Sequence, residues 1–281
     1  MTFSVISIAL LCFVASYFIN VFSYHFPLKL LRNWKQECQE FLEIKAEETT
    51  KPIKSLGVQL ECHNCKAKLN FLQNIPLLRI FASHKCQNCK TKLRNGAFSV
   101  DIITIFSGLI VFHSFGQTPL TSLALVLTWF LICGSIIDLR HKLLPDELTL
   151  TLLWLGLLLS CFSVFVPPTT AIWGAIAGYG TFYIVHFLYK LITKKDGLGF
   201  GDFKLLAAIG AWQGPSNLPF TIFIAALSAC LVSILLVQRN KKLTMRTMQL
   251  PFGPYLAFAG FVTFLSGNSI LTWYTHLFMG T

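Results

Sequence analysis

Five stretches of this chain contain no Lys, Arg, Asp or Glu: residues 1–28, 102–137, 148–189, 205–238 and 247–281. No other feature restricts the possible folds so sharply. A bilayer core takes ~20 consecutive apolar residues per helical crossing, and inside it every backbone group must bond within the protein. The first and last stretches fit one crossing each. The three middle ones fit two each, with turns at Gln117-Thr118-Pro119, Pro167-Pro168 and Gly214-Pro215-Ser216-Asn217. The chain therefore reads as an all-α polytopic membrane protein with about eight transmembrane helices. Composition agrees: 54% of the 281 residues are hydrophobic and 12% are charged, whereas a soluble domain is about a quarter charged.

The formal net charge of +11 would suit a nucleic-acid partner. The positions of the charges argue against one. All 23 Lys and Arg fall in four segments, with 13 in 29–94, two in 140–142, four in 190–204 and four in 239–246. Each segment follows an odd-numbered crossing, so all four face the same side, and the positive-inside rule makes that side cytoplasmic. Both termini then lie on the outer side. The basic loops can lean on anionic lipid headgroups. Residues 1–23 lack a basic segment ahead of the apolar run, so they read as a retained first helix and not as a cleaved leader. The sixth crossing, about 203–213, is short and reads as a short or partly broken span.

One sizeable polar insertion, residues 24–97, follows the first helix. Its part at 33–57 is rich in Lys and Glu, and the pattern leaves open whether it is helical. Cys62, Cys65, Cys86 and Cys89 then form two C-x2-C pairs separated by 20 residues. Four thiolates in that arrangement suit a structural zinc. Two disulfides are the alternative, but the insertion lies on the reducing, cytoplasmic side. His63 and His84 adjoin the pairs, although four thiols already complete a shell. Cys12, Cys133, Cys161 and Cys230 lie in apolar spans as ordinary small hydrophobes, and Cys38 has no partner nearby in sequence.

A carboxylate at membrane depth is costly, which makes it a candidate for function. Most of the candidates have ordinary explanations. Asp146 follows Pro145 and reads as an N-cap. Asp101 reads as a charge favoured by the start of the second helix. Asp196 reads as a solvated loop residue, and Asp202 as another N-cap. Asp138 resists such treatment, because it sits at the C-terminal end of its helix, where the dipole disfavours a negative charge. An ion pair with Arg140 or Lys142 is its remaining structural role. Asp202 follows Gly197, Gly199 and Gly201, whose bare backbone permits close approach of another segment. Both residues fall at the same edge of the membrane, so they can meet. Two facing carboxylates share one proton. The ionised member can take a proton from water while the other polarises a carbonyl, which is the chemistry of an aspartic protease.

The segments "GLGFGDFKLLAAIGAWQG" (197–214), "IDLRHKLLPDELTLTLLWLGLLL" (137–159), "NIPLL" (74–78), "PFGPYLA" (251–257) and the paired C-x2-C knuckles together closely resemble the type IV prepilin peptidases. The resemblance covers nearly the whole chain in the family's order. It implies a bifunctional enzyme of the bacterial inner membrane. Such an enzyme cuts the short basic leader from prepilins or pseudopilins on the cytoplasmic side, then methylates the new N-terminal residue with S-adenosylmethionine. The family's catalytic aspartates fall on Asp138 and Asp202, and its zinc ligands on Cys62, Cys65, Cys86 and Cys89. The implied organisation is a first transmembrane helix (1–23), a cytoplasmic zinc-binding domain (24–97) and a seven-helix membrane peptidase domain (98–281). The chain departs from the family at His63, where Pro is common; at His25, where Arg is usual; at Gly96-Ala97-Phe98, in place of Arg-Tyr-Pro; and at Asp101, where Glu is usual. These positions lie in or beside the domain that the family links to methylation, so a peptidase without methylation is one alternative reading. An ion-coupled transporter, with Asp138 and Asp202 as proton or cation sites, is another. It would call for internal repeats that the sequence lacks. A membrane scaffold built on the zinc domain would make both aspartates dispensable.

Overall fold

The computed structural model describes residues 2–42, 65, 86, 88–91, 96–194, 197, 199–239 and 250–279. These residues form helices and no strand, in two compact units, Met1–Gln117 and Thr118–Thr281. Among them, four helices are long and apolar enough to cross a membrane: Ser4–Phe41, Pro119–His141, Pro168–Thr193 and Pro215–Arg239. Ser99–Phe115 and Gly253–Ser266 are apolar but shorter.

In the first unit, helix α1 (Thr2–Phe41) packs against α2 (Gly96–Phe115). The 40 residues of α1 continue without a break past Pro27. At 1.5 Å per residue the helix is about 60 Å long, roughly twice the hydrocarbon thickness. Its charged end is thus helical to Phe41, well past the boundary expected at residue 23. Asp101 is the sixth residue of α2, beyond the first turn, so its expected role as a helix-start charge does not hold. It is instead fully buried, and one of its oxygens accepts hydrogen bonds from Ser16 Oγ (2.8 Å) and Asn20 Nδ2 (3.1 Å) on α1.

The second unit contains α3 (Pro119–His141), α4 (Asp146–Cys161), α5 (Pro168–Thr193), α6 (Phe200–Gln213), a 3-10 turn (Pro215–Asn217), α7 (Leu218–Arg239) and α8 (Gly253–Met279). Each turn lies where the sequence places it. Pro119 and Pro168 open helices at positions where a missing N–H is no loss. Gly214 ends α6 at φ +81°, a conformation that suits glycine. Beyond its first turn, where Phe200 is exposed, the short α6 is buried on almost every face, with Lys204 half-buried. A helix that is apolar all round belongs inside a bundle, and α4, α5 and α8 pack around this one. Its 14 residues span about 21 Å.

Small residues let the backbones of α5 and α6 touch. A Cβ added at Gly174 would lie 2.1 Å from the Gly210 carbonyl oxygen, and one at Gly210 would lie 2.2 Å from that of Gly174. One turn along, a Cβ at Gly178 would lie 2.6 Å from Leu206 O. This is the close approach that small-xxx-small spacing permits. On the α4 side, Gly156 leaves room for the Trp212 indole, whose Nε1–H donates to Leu152 O at 2.9 Å. At the far end of α6, Gln213 Nε2 donates to Thr221 Oγ1 (3.1 Å), which shares a hydrogen bond with Thr263 Oγ1 (2.9 Å), tying α6, α7 and α8 together. Gly174→Ala is expected to lower stability by about 1–3 kcal/mol through overpacking. Gly180→Ala, whose Cβ would meet nothing within 4 Å, should not. Thermal unfolding in detergent compares the two.

Candidate active site

Asp138 lies in the last turn of α3. Lys142 ends that helix in the left-handed conformation (φ 54°), its N–H donating to Asp138 O at 2.8 Å. The chain then turns through Leu143-Leu144-Pro145 into α4. The Asp138 side chain is buried, and its Oδ2 accepts a hydrogen bond from the Gly253 N–H at 2.9 Å. Gly253 is the first residue of α8. Pro254 brings no N–H to that end, and the N–H groups of Tyr255 and Leu256 turn back to Phe252 O. The Gly253 N–H is therefore left to the carboxylate. The position that looked unfavourable in sequence, at the negative end of α3, is answered by the positive end of α8. A Cβ at Gly253 would lie 2.5 Å from Asp138 Oδ2, so this approach requires glycine.

Asp202 is the third residue of α6, and its side chain is also buried. It is not the N-cap that propensity suggests. Gly199 occupies that position, its carbonyl accepting the Asp202 N–H at 3.1 Å. The Asp202 carboxylate reaches back to the Gly199 backbone N–H, half of a capping box. Each aspartate is thus held by the backbone N–H of a glycine at a helix start. The two are near enough that the charge of Asp138 acts on Asp202. The fold therefore brings together the two carboxylates singled out in the sequence, 64 positions apart in the chain numbering. Such a pair can exchange protons with a water and a carbonyl placed between them.

The other carboxylates behave differently. Asp146 is the first residue of α4, and Pro145 is its cap. The expected N-cap role fails, because both Asp146 oxygens accept from Lys204 Nζ at 2.6 Å, an ion pair between α4 and α6. Asp196 lies outside the described residues. Sequence reasoning also missed the aromatic wall beside Asp202. Phe203 meets Tyr179, Phe182 and His186 of α5, and Phe182 reaches Phe252 beside Gly253. His186 is buried here against Phe200 and Phe203. A lone histidine in an uncharged span was the available signal.

In the first unit, the Sγ atoms of Cys65, Cys86 and Cys89 lie within 4.8 Å of one another, with Cys65 and Cys86 at 3.6 Å. A zinc with bonds of about 2.3 Å to sulfur holds tetrahedral ligands about 3.8 Å apart, so the three thiols fit such an ion. The local backbone curls to present them: Lys90 takes a positive φ of 55°, its N–H bonds to Cys86 O, and the Cys86 N–H bonds to Thr91 O. Cys62, the fourth expected ligand, lies outside the described residues.

Comparison with known proteins agrees in order and extent. The profile of the Type IV leader peptidase family matches residues 125–234, and that of the bacterial peptidase A24 N-terminal domain matches residues 10–115. The chain is similar to the prepilin leader peptidase/N-methyltransferase of Stutzerimonas stutzeri, 37% identical over 259 residues that cover 92% of this chain and 89% of that protein. The protein of the same description from Pseudomonas aeruginosa is 38% identical over 260 residues, covering 92% and 88%. The one from Legionella pneumophila is 34% identical over 262 residues, covering 93% and 91%. No solved structure matches the chain. With both profiles matched in order and relatives aligned along nearly their full length, this chain belongs to the type IV leader peptidase family.

Proposed function

We propose that this chain cuts the leader from prepilins or pseudopilins and then N-methylates the exposed residue, with Asp138 and Asp202 as the catalytic pair. The carrying observation is two buried carboxylates, each steadied by a glycine N–H, near enough at the end of α3 and the start of α6 for the charge of one to act on the other. One carboxylate, ionised, takes a proton from water. The other, protonated, donates to the scissile carbonyl oxygen as the water oxygen bonds to carbon. The tetrahedral diol then collapses. Its C–N bond breaks, a proton passes to the leaving nitrogen, and a carboxylic acid and a free amine result. Methylation of that amine draws on S-adenosylmethionine, which supplies the methyl group.

The charge pattern supports eight crossings, with both termini on the periplasmic side of the bacterial inner membrane and the aspartates at the cytoplasmic edge. The three domains are the first helix, the zinc-binding insertion and the membrane peptidase domain. The deciding experiment is the intact mass of a prepilin co-expressed with this chain. Loss of the leader and gain of one methyl group are expected. A leader retained on two different prepilins would end the peptidase reading, and cleavage without the methyl group would leave a peptidase alone.

The cysteine geometry supports a structural zinc held by Cys62, Cys65, Cys86 and Cys89. Purified protein is expected to carry one zinc per chain by atomic emission, and Cys86→Ser or Cys62→Ser to lose most of it. Full zinc retention in either variant would remove that cysteine from the shell.

A further inference from the structure

Helices α3 and α6 carry the two aspartates, yet they make no extended contact with each other. What sets the gap between the carboxylates must therefore lie between the two helices. The Leu144 side chain touches both carriers. A Cβ at Gly201, beside Asp202, would lie 2.6 Å from Leu144 Cβ and 3.2 Å from Leu144 O. A Cβ at Gly253, which holds Asp138, would lie 3.0 Å from Leu144 Cδ1. The other methyl of the same residue, Cδ2, faces Gly134 on α3 at 3.5 Å from where a Cβ would stand. Three glycines thus surround one leucine, on α3, at the start of α6 and at the start of α8. Leu144 itself is fixed at both ends of its short loop, by the left-handed turn at Lys142 and by Pro145 at the cap of α4.

We propose that Leu144 is a positioning residue: its side chain is the spacer that sets how far apart Asp138 and Asp202 stand. This rests on the peptidase reading above. Dispersion contacts are weak singly, but a packed side chain between three backbones fixes their separation, because interiors do not deform continuously. Truncation would leave the loop and two helix starts free to close on the void, and the carboxylates would shift with them. Geometry errors near 1 Å are enough to cost catalysis severely.

The test is cleavage kinetics on a synthetic prepilin peptide in detergent, per mole of folded enzyme, for Leu144→Ala, Leu144→Met and Leu152→Ala. Leu152 is equally apolar and, unlike the half-buried Leu144, fully buried; it lies on α4, where its carbonyl accepts the Trp212 indole N–H. Leu144→Ala should lower kcat at least about tenfold while KM stays within about twofold. Leu144→Met, of nearly the same volume, should restore kcat to within about threefold of wild type. Leu152→Ala should lower the unfolding midpoint at least as much and leave kcat within about threefold. A kcat for Leu144→Ala equal to that of Leu152→Ala, or a change confined to KM, would overturn the spacer role. If the wild type does not cleave while the protein is folded, the peptidase reading fails, and the spacer role fails with it.

Discussion

Asp202→Asn is expected to abolish leader cleavage while leaving the fold intact, and Asp138→Asn should do the same. A positioned acid or base contributes about 10²–10⁴-fold, and in a pair that works as a unit each loss approaches the loss of both. The drop should therefore be at least about 1,000-fold for either variant, with the double variant little worse. Asparagine keeps the size of the side chain and can still accept the N–H of Gly253 or Gly199. It cannot shuttle a proton. Intact mass of a co-expressed prepilin reads cleavage, and thermal unfolding reads the fold. Normal processing by either variant would take that residue out of the pair. Loss of processing together with loss of folding would make the aspartates structural.

The second large effect is expected at a residue with no side chain. Gly253→Ala places a methyl 2.5 Å from Asp138 Oδ2 and 3.0 Å from Leu144 Cδ1. The carboxylate is buried and hydrogen-bonded, so it has little freedom to give way. Asp138 must move or lose its hydrogen bond. A displacement of about 1 Å costs on the order of 100-fold in rate, so cleavage should fall by about that factor, mainly in kcat. Gly174→Ala is the control, because it strains the α5–α6 contact away from the carboxylates. It should cost stability with a far smaller change in kcat. Equal kcat losses in the two variants would mean that Gly253 acts only through packing.

Why Asp138 and Gly253 were not seen as a pair in the sequence is instructive. Asp138 stood out because it contradicted its own helix dipole, and the conflict was a true signal. Its resolution lay 115 residues away, in an N–H that only the packing of α8 could bring there. The same holds for Asp146. Its local context after Pro145 explained it well enough as a cap, and the Lys204 partner 58 positions along could not be read. The helix ends at 117–119, 167–168 and 214–217 were legible, because an absence of charge and a proline or glycine are local properties. The length of α1 was not. Beyond Leu28 the helix is exposed and charged, and no apolar period marks it. Leu144 was invisible as anything but one more leucine.

The glycine contact between α5 and α6 has a bearing on how a substrate gets in. With the carbonyls of Gly174 and Gly210 each lying against the other's α-carbon, and Gln213 knotted to Thr221 at the far end, α6 has little room to slide along or roll against α5. Asp202 is then the fixed jaw of the pair. Asp138 rides on a helix that shares no extended surface with α6, and its place is set by Leu144 and by the Gly253 N–H. The gap that a peptide bond would enter is therefore set from both sides by packing.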